Sequence, residues 1–346
     1  MSAFTQTFLV DFFQSIHKLE KNNWDHLRFE ENHPREKNFM VDNAVYWMHA
    51  IMKNIDQYEA AFEILEDDYS KNLMIKLLEF DILDHHHVKL PINTPAFWDI
   101  YNNIDKNYLL EKDAIAYGGK FINLYKVPDS ELKIYGNPLT VLTQFILQQY
   151  YYARGPIIKP EIGDVCIDAG ACRGDVSLKF SDSIGPKGQV YGFEFVPANI
   201  EVFQRNLEIN PHWAANIEIV QHPLWHVSHE EMSFSDQGPG SSISDRGEGN
   251  LKTLTITLDD FVASKGLEKV DFIKMDIEGA ELNALAGASA TIRKFQPKLA
   301  ICAYHKKDDF YSIPKLIRQI DSGYKFYLDH YTIHREETVL YAIPAK

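Results

Sequence analysis

Residues 163–175 read Gly-Asp-Val-Cys-Ile-Asp-Ala-Gly-Ala-Cys-Arg-Gly-Asp. The apolar run Val165-Cys166-Ile167 suits a buried parallel strand. Asp168 follows it, then small residues and glycines, and a helical pattern starts at Val176. Strand, glycine turn and helix together make a ligand site at the carboxyl edge of an open α/β sheet. The turn lets the backbone approach a ligand closely. The helix start offers unpaired N–H groups and a positive dipole end.

The chain after residue 156 fits that frame. Strands are predicted over 189–195, 216–220, 270–276 and 298–304. Between them lie predicted helices over 199–210, with Ile200, Phe203 and Leu207 in register, 280–292 and 313–320. Residues 231–236 and 251–258 alternate apolar and polar side chains around a glycine-serine loop, as a hairpin does. Residues 324–330 and 338–343 close the chain as an antiparallel pair. The alternation predicts an α/β, doubly wound, mostly parallel sheet with an antiparallel end strand and helices on both faces.

Residues 1–135 read differently, as a mostly α-helical N-terminal domain ahead of an α/β domain at 136–346. Phe4, Phe8, Phe12, Ile16 and Leu19 keep helical spacing and read as core. A polar loop around His33-Pro34 precedes a second helix through Tyr46-Trp47-Met48 and Ile51. Ser70 reads as an N-cap before Leu73, Met74, Leu77 and Leu78. His85-His86-His87 invites a metal reading, but adjacent imidazoles point in different directions, and an exposed turn is the plainer reading. Residues 98–108 and 139–152 are predicted helical.

A formal charge of −14 disfavours a nucleic-acid partner, whose binding depends on phosphate neutralisation. Three cysteines, 166, 172 and 302, give no disulfide framework and point to a reducing compartment. The N-terminus has no signal-peptide pattern. The uncharged run 134–153 contains Asn137, Gln144, Gln148 and Gln149, too polar to span a membrane. A soluble cytoplasmic protein is expected.

The glycines at 170 and 174 do not form the dinucleotide pattern Gly-x-Gly-x-x-Gly, and no Walker lysine follows. Asp168 ends the first strand and Glu194 the next, and a carboxylate there can accept both ribose hydroxyls of an adenosine. This order resembles class I S-adenosylmethionine methyltransferases. The plain alternative makes Asp168 a helix cap and Glu194 an exposed strand end. A more specific pattern comes later: Val-Asp-Phe-Ile-Lys-Met-Asp-Ile-Glu-Gly-Ala-Glu from Val270, followed by Leu285, Gly287 and Ala288. With Val-Tyr-Gly-Phe-Glu-Phe from Val190, Pro197 and Asn206-Leu207, it resembles the FkbM family of methyltransferases over roughly residues 156–344. Members usually carry Glu-Pro after the second strand, where this chain has Glu194-Phe195.

The resemblance implies a Rossmann-like fold, S-adenosylmethionine as methyl donor, and O-methylation, often of a sugar hydroxyl. The cofactor-binding residues it points to are Asp168, Gly170, Ala171, Cys172, Arg173, Gly174 and Asp175 on the turn. Glu194 and Phe195 follow the second strand, and His222, Pro223 and Leu224 the third, near the adenine. Gly170 and Gly174 would pass the methionine end, and the helix start near Asp175 would receive its carboxylate.

A hydroxyl needs its proton removed as it attacks. Candidates at the strand ends are Lys274, Asp276, Glu278 and His305, with histidine suited to a base near neutral pH. Their plain readings are a salt bridge, an N-cap, a first-turn acid and a surface residue. Asp276, Glu278 and His305 together also offer a Mg²⁺ or Mn²⁺ ligand set. The loop 237–249 reads as a lid or a free hairpin tip. The aromatic-rich N-terminal part, with Tyr150, Tyr151 and Tyr152 near the boundary, reads as a sugar-stacking surface or a homodimer interface. The acceptor is a small molecule or glycan. Rival readings are a polyketide, peptide or lipid hydroxyl, and a cofactor-binding scaffold without catalysis.

Overall fold

The computed structural model describes residues 2–18, 23, 37–234, 243–244 and 251–345. At its centre is a seven-stranded sheet. Its strands are β1 (Val165–Ala169), β2 (Gln189–Phe193), β3 (Ile217–Val220), β4 (Phe272–Met275), β5 (Lys298–Cys302), β6 (Tyr324–His330) and β7 (Thr338–Pro344). Their spatial order is β3-β2-β1-β4-β5-β7-β6. The first five pair in parallel, and β7 runs antiparallel to both β5 and β6, as predicted. Every residue of β4 is buried, which is why that strand reads as a continuous apolar run broken only by Lys274. The chain winds outward from β1 in one direction and from β4 in the other. The crevice between them opens at their carboxyl ends, where Asp168 stands in register with Lys274.

Helices Asp175–Ile184, Pro197–Glu208, Leu258–Lys265 and Asp309–Ile320 connect the strands. The predicted helix over 280–292 is two, Glu281–Ala286 and Ser289–Phe295. The second starts afresh because Asp259 caps it, accepting from Ala290 N at 2.9 Å and Thr291 N at 2.7 Å. The hairpin over 231–258 is present as Glu231–Phe234 against Leu251–Leu254. Apart from the two-residue strand Ile243–Ser244, the proposed lid 237–249 lies outside the described residues, as do Leu19 and the loop at His33-Pro34.

The N-terminal helices Ala3–Ser15, Lys37–Lys53, Ile55–Ile64 and Asp68–Leu83 pack on the β6 side of the sheet. Phe4, Phe8, Leu73 and Leu77 share one hydrophobic cluster with Phe326, Leu340 and Ile301. This layer also covers the free edge of β6, an edge that would otherwise offer unpaired backbone groups. Glu66 N donates to Phe326 O at 3.0 Å. Ser70 Oγ accepts from Leu328 N at 2.9 Å and donates to Leu328 O. Ser70 is therefore not the N-cap. That role falls to Asp67, whose Oδ1 accepts from Ser70 N.

Helices Pro95–Asn102 and Ile104–Tyr108 match the prediction, but a three-stranded antiparallel sheet, Leu109–Tyr117, Lys120–Lys126 and Lys133–Gly136, follows them. The predicted helix over 139–152 is short: Pro138–Thr140 runs into a π-helical turn, Val141–Ile146. Gln148 and Tyr150 then take left-handed conformations that end it.

Replacing Ser70 with Ala leaves Leu328 N–H buried and unpaired. The expected loss is about 1–3 kcal/mol, read in urea unfolding as a lower midpoint at unchanged slope.

Candidate functional site

A cavity of about 280 Å³ opens at the carboxyl ends of β1, β2 and β4. Its floor is the turn after β1. Gly170 has φ +75°, and a Cβ there would lie 1.8 Å from Asp276 O, so the turn can press against the end of β4 only without a side chain. Gly174 has φ +76°, and a Cβ there would meet the ring of Phe203 at 2.0 Å. Helix–sheet packing thus requires that glycine, and Gly174 is not among the residues lining the cavity. Gly170, Ala171, Cys172, Arg173 and Asp175 do line it.

Asp168 is fully buried beneath the turn. It pairs with Lys274 at 3.0 Å and accepts from Ser177 Oγ at 2.6 Å. Lys274 donates as well to Ala169 O at 3.1 Å and Gly170 O at 2.8 Å. Burial alone would lower the Lys274 ammonium, but the Asp168 and Asp276 charges outweigh it and raise it. The salt-bridge partner foreseen for Lys274, Asp276, is thus replaced by Asp168, and the lysine braces the turn.

Glu194 is buried beside the cavity, with Oε1 accepting from Phe195 N at 2.7 Å and Val196 N at 2.8 Å, and Oε2 from Asn199 Nδ2 at 3.0 Å. Burial raises its carboxyl despite these bonds. The Cys172 backbone N–H also bonds to this carboxylate, and each carboxylate oxygen can accept more than one donor, a ligand hydroxyl included. Phe195, Pro223 and Leu224 complete an apolar wall suited to a flat heterocycle. His222 is exposed and its Nδ1 faces Leu254 O at 2.8 Å, outside that wall. Tyr117, from the unforeseen N-terminal sheet, donates to Asn199 Oδ1 at 2.5 Å and ties that sheet to the same wall.

On the far side Asp276 accepts from Tyr150 Oη at 2.9 Å and Tyr304 Oη at 3.1 Å. His305 is buried behind it, with Nε2 at 3.5 Å from Asp276 and 3.7 Å from Glu278, and Nδ1 at 3.0 Å from Glu281 Oε1. Burial would lower the imidazole, but Glu281, Asp276 and Glu278 overcome it and push it up to about 9. Burial would raise Asp276, but Lys274 and His305 overcome that and hold it below its ordinary value. Glu278 is raised to about 7 by burial and the neighbouring Asp276 and Glu281 charges, against His305 and Lys274. It stands at the rim, 36% exposed, with φ +55°.

His305 at neutral pH is therefore an imidazolium rather than a free base. Its Nε2 faces Asp276 and Glu278, but these three side chains do not bring three ligand atoms within 4.8 Å of one another, as a shared metal ion would require. Asp276, Glu278 and His305 do not fit a metal centre. Among the described residues, the group that brings three ligand atoms within 4.8 Å is Asp84, His85 and His86, on a turn far along the chain from the cavity residues.

Tyr150 and Tyr152 are buried, at 1% and 0% exposure, so neither offers an exposed stacking surface. Tyr150 lines the cavity, Tyr151 packs its ring against Lys179, and Tyr152 packs on Tyr327 and Tyr341. Cavity residues that sequence reading missed are Asn137, Thr140, Thr143, Gln144, Tyr304 and Glu337. No local motif marks them, although the run of uncharged polar residues after Gly136 is a signal in retrospect. Among the described residues no helix is long and apolar enough to cross a membrane.

The strand order, the glycine turn and the acid after β2 together define a domain of the S-adenosylmethionine-dependent methyltransferase class. Residues 168–326 match the family model described as "Methyltransferase FkbM domain", so the likeness to that family rests on a domain within the chain. Two curated proteins are similar to it. "Methyltransferase 1" of Beauveria bassiana is 26% identical over 185 residues, covering 45% of this chain and 72% of that protein. "2-O-methyltransferase NoeI" of Sinorhizobium fredii is 35% identical over 68 residues, 18% of this chain and 28% of that one. The crystal structure of methyltransferase FkbM from Methylobacillus flagellatus KT superposes with a TM-score of 0.56 at 21% identity. It covers 86% of this chain, which spans 60% of that chain and so shares its fold over part of its length.

Two measurements probe the site's electrostatics. Lys274→Met leaves Asp168 charged and alone, and should cost about 3–5 kcal/mol in chemical unfolding, with Asp168→Leu in the same chain restoring much of it. His305 has its folded-state value raised above the ordinary 6.5, so its stabilisation is full below about pH 6.5 and is lost as pH rises through 9. Melting temperature should fall more steeply between pH 7 and 10 in the native chain than in His305→Gln, roughly across the window those two values set. Parallel profiles would refute the raised value.

Proposed function

We propose that this chain transfers a methyl group from S-adenosylmethionine to a hydroxyl of a sugar or glycan precursor. One observation carries the reading: Glu278, poised near pH 7, stands at the rim of a cavity lined in part by hydrogen-bonding side chains. Asn137, Thr143, Tyr150, Tyr304 and Glu337 are among these, chemistry that suits a polyhydroxylated acceptor better than a lipid. The Sinorhizobium relative, a 2-O-methyltransferase, supports oxygen as the receiving atom.

S-adenosylmethionine, when bound, supplies an electrophilic methyl group on a sulfonium. Glu194 holds the ribose diol, and Phe195, Pro223 and Leu224 enclose the adenine. The Gly170 turn, clamped by Lys274, sets the depth at which the donor sits. Positioning supplies much of the rate in such a displacement. What remains is the acceptor proton. Glu278 takes it from the attacking oxygen, since a base works best with its pKa near the working pH. Asp276 orients Tyr150 and Tyr304, and His305 keeps Glu278 from rising further.

A screen with methyl-labelled S-adenosylmethionine across nucleotide sugars and oligosaccharides should yield a labelled sugar. Its kcat should rise with pH through about 7 and level above, because the base acts unprotonated. Glu278→Gln should lose that limb and about 10²–10⁴-fold in kcat. Transfer to a peptide or lipid hydroxyl, with none to any sugar, would overturn the acceptor class.

A further inference from the structure

The histidine triplet follows the helix Asp68–Leu83, and two of its three rings converge where sequence reading expected them to diverge. His85 and His86 lie with ring centroids 4.0 Å apart, and Asp84 Oδ1 meets His85 Nδ1. Asp84, His85 and His86 each offer one ligand atom, and these atoms lie within 4.8 Å of one another. His87 is engaged elsewhere, its Nδ1 facing Lys18 O at 2.6 Å. None of the four is among the residues lining the methyl-transfer cavity.

The turn is rigid without a ligand. Asp84 takes φ +64° and ψ 177°, a region that is essentially glycine's own and costs a residue with a side chain of order 1–3 kcal/mol. Bonds on every side hold it there. Asp84 N donates to Phe80 O at 2.8 Å, and Asp84 O accepts from His87 N at 3.1 Å and Val88 N at 3.0 Å. The buried Asn23 donates from Nδ2 to His85 O at 2.7 Å and Val88 O at 2.6 Å, and is itself fixed by a bond from Asn93 Nδ2. The Asp84 and His85 side chains are 11% and 13% exposed, shielded from water but still reached by it. They stand at the C-terminal end of a 16-residue helix, where the backbone dipole favours a cation.

We infer that Asp84, His85 and His86 form a Zn²⁺ site. Two imidazoles and one carboxylate are the ligands of a borderline ion, whereas Mg²⁺ and Ca²⁺ select oxygen alone. Three protein ligands leave a fourth tetrahedral position for water. The proton that Asp84 and His85 share in the metal-free turn leaves to solvent as the ion takes its place. The ion then ties the helix end to the turn, and through it fastens the N-terminal layer that covers β6.

Isothermal titration of the tag-free, metal-stripped full chain with ZnCl₂ tests the site. One ion should bind per chain, with MgCl₂ giving no heat, and thermal unfolding should move to higher temperature in Zn²⁺ than in EDTA. His86→Gln should weaken Zn²⁺ by about tenfold or more, and His87→Gln should leave it unchanged. Asp84→Gly guards against a variant that merely misfolds. Glycine takes that backbone conformation without strain, so this chain should unfold in EDTA no earlier than the native one and still lose Zn²⁺ by about tenfold or more. A native chain that binds no Zn²⁺ would overturn the site. So would equal losses in the His86 and His87 variants, the mark of an unspecific histidine patch, or an Asp84→Gly chain that keeps native affinity.

Discussion

The Asp168–Lys274 pair holds the working part of this molecule in place. Register sets the two residues side by side on β1 and β4, the strands flanking the crevice. Removing two charges from water costs several kcal/mol each, and their attraction repays it only with good geometry and further bonds. Those bonds are present. Lys274 also binds Ala169 O and Gly170 O, and Asp168 takes the Ser177 hydroxyl from the first turn of the following helix. A hydrophobic pair of equal volume could fill the space but could not grip those carbonyls. The ion pair therefore does structural work at one point, the glycine turn, and Gly170 completes it by letting Asp276 O close from above.

From that turn the site carries both signs on one side: Arg173 and Lys274 stand with Asp168, Asp175 and Glu194. Asp276, Glu278, Glu281 and Glu337 bring negative charge to the other, with His305 partly neutralising three of them. Left-handed φ values at Cys172 and Glu278, residues that rarely adopt them, lie on these two sides. Each costs of order 1–3 kcal/mol and persists only where surrounding packing enforces it.

What could be read from the sequence was local. Asp168, Gly170 and Glu194 announce themselves because strand, turn and helix are consecutive, and the mostly parallel sheet followed from the alternation of strands and helices. Thr140 and Gln144 reach the cavity, and Tyr117 reaches Asn199 on its wall, from segments whose folding together leaves no spacing to read. The strand Leu109–Tyr117 was hidden for a different reason. It is mostly exposed and its Glu111-Lys112-Asp113 run breaks the apolar alternation that marks a half-buried strand. His305 is expected from sequence to titrate ordinarily because the three carboxylates around it come from another segment, residues 276–281. Ser70 was taken for a cap because it precedes an apolar run. Its hydroxyl is instead spent on the edge of β6, a partner 258 residues away.

The division between holding and reacting also decides which carboxylate can move a proton. Asp276 accepts from two tyrosine hydroxyls and faces an imidazolium and Lys274, all of which favour its charged form. To protonate it, those contacts must weaken together, so it stays an anion through the pH range in which an enzyme works. Glu278 lies two residues further on, just before Gly279, where the chain bends, and its own φ is +55°. It is close enough to His305 to feel its charge and exposed enough to meet an acceptor. Of the strand-end groups, it is the one whose protonation can change without disturbing the clamp beneath.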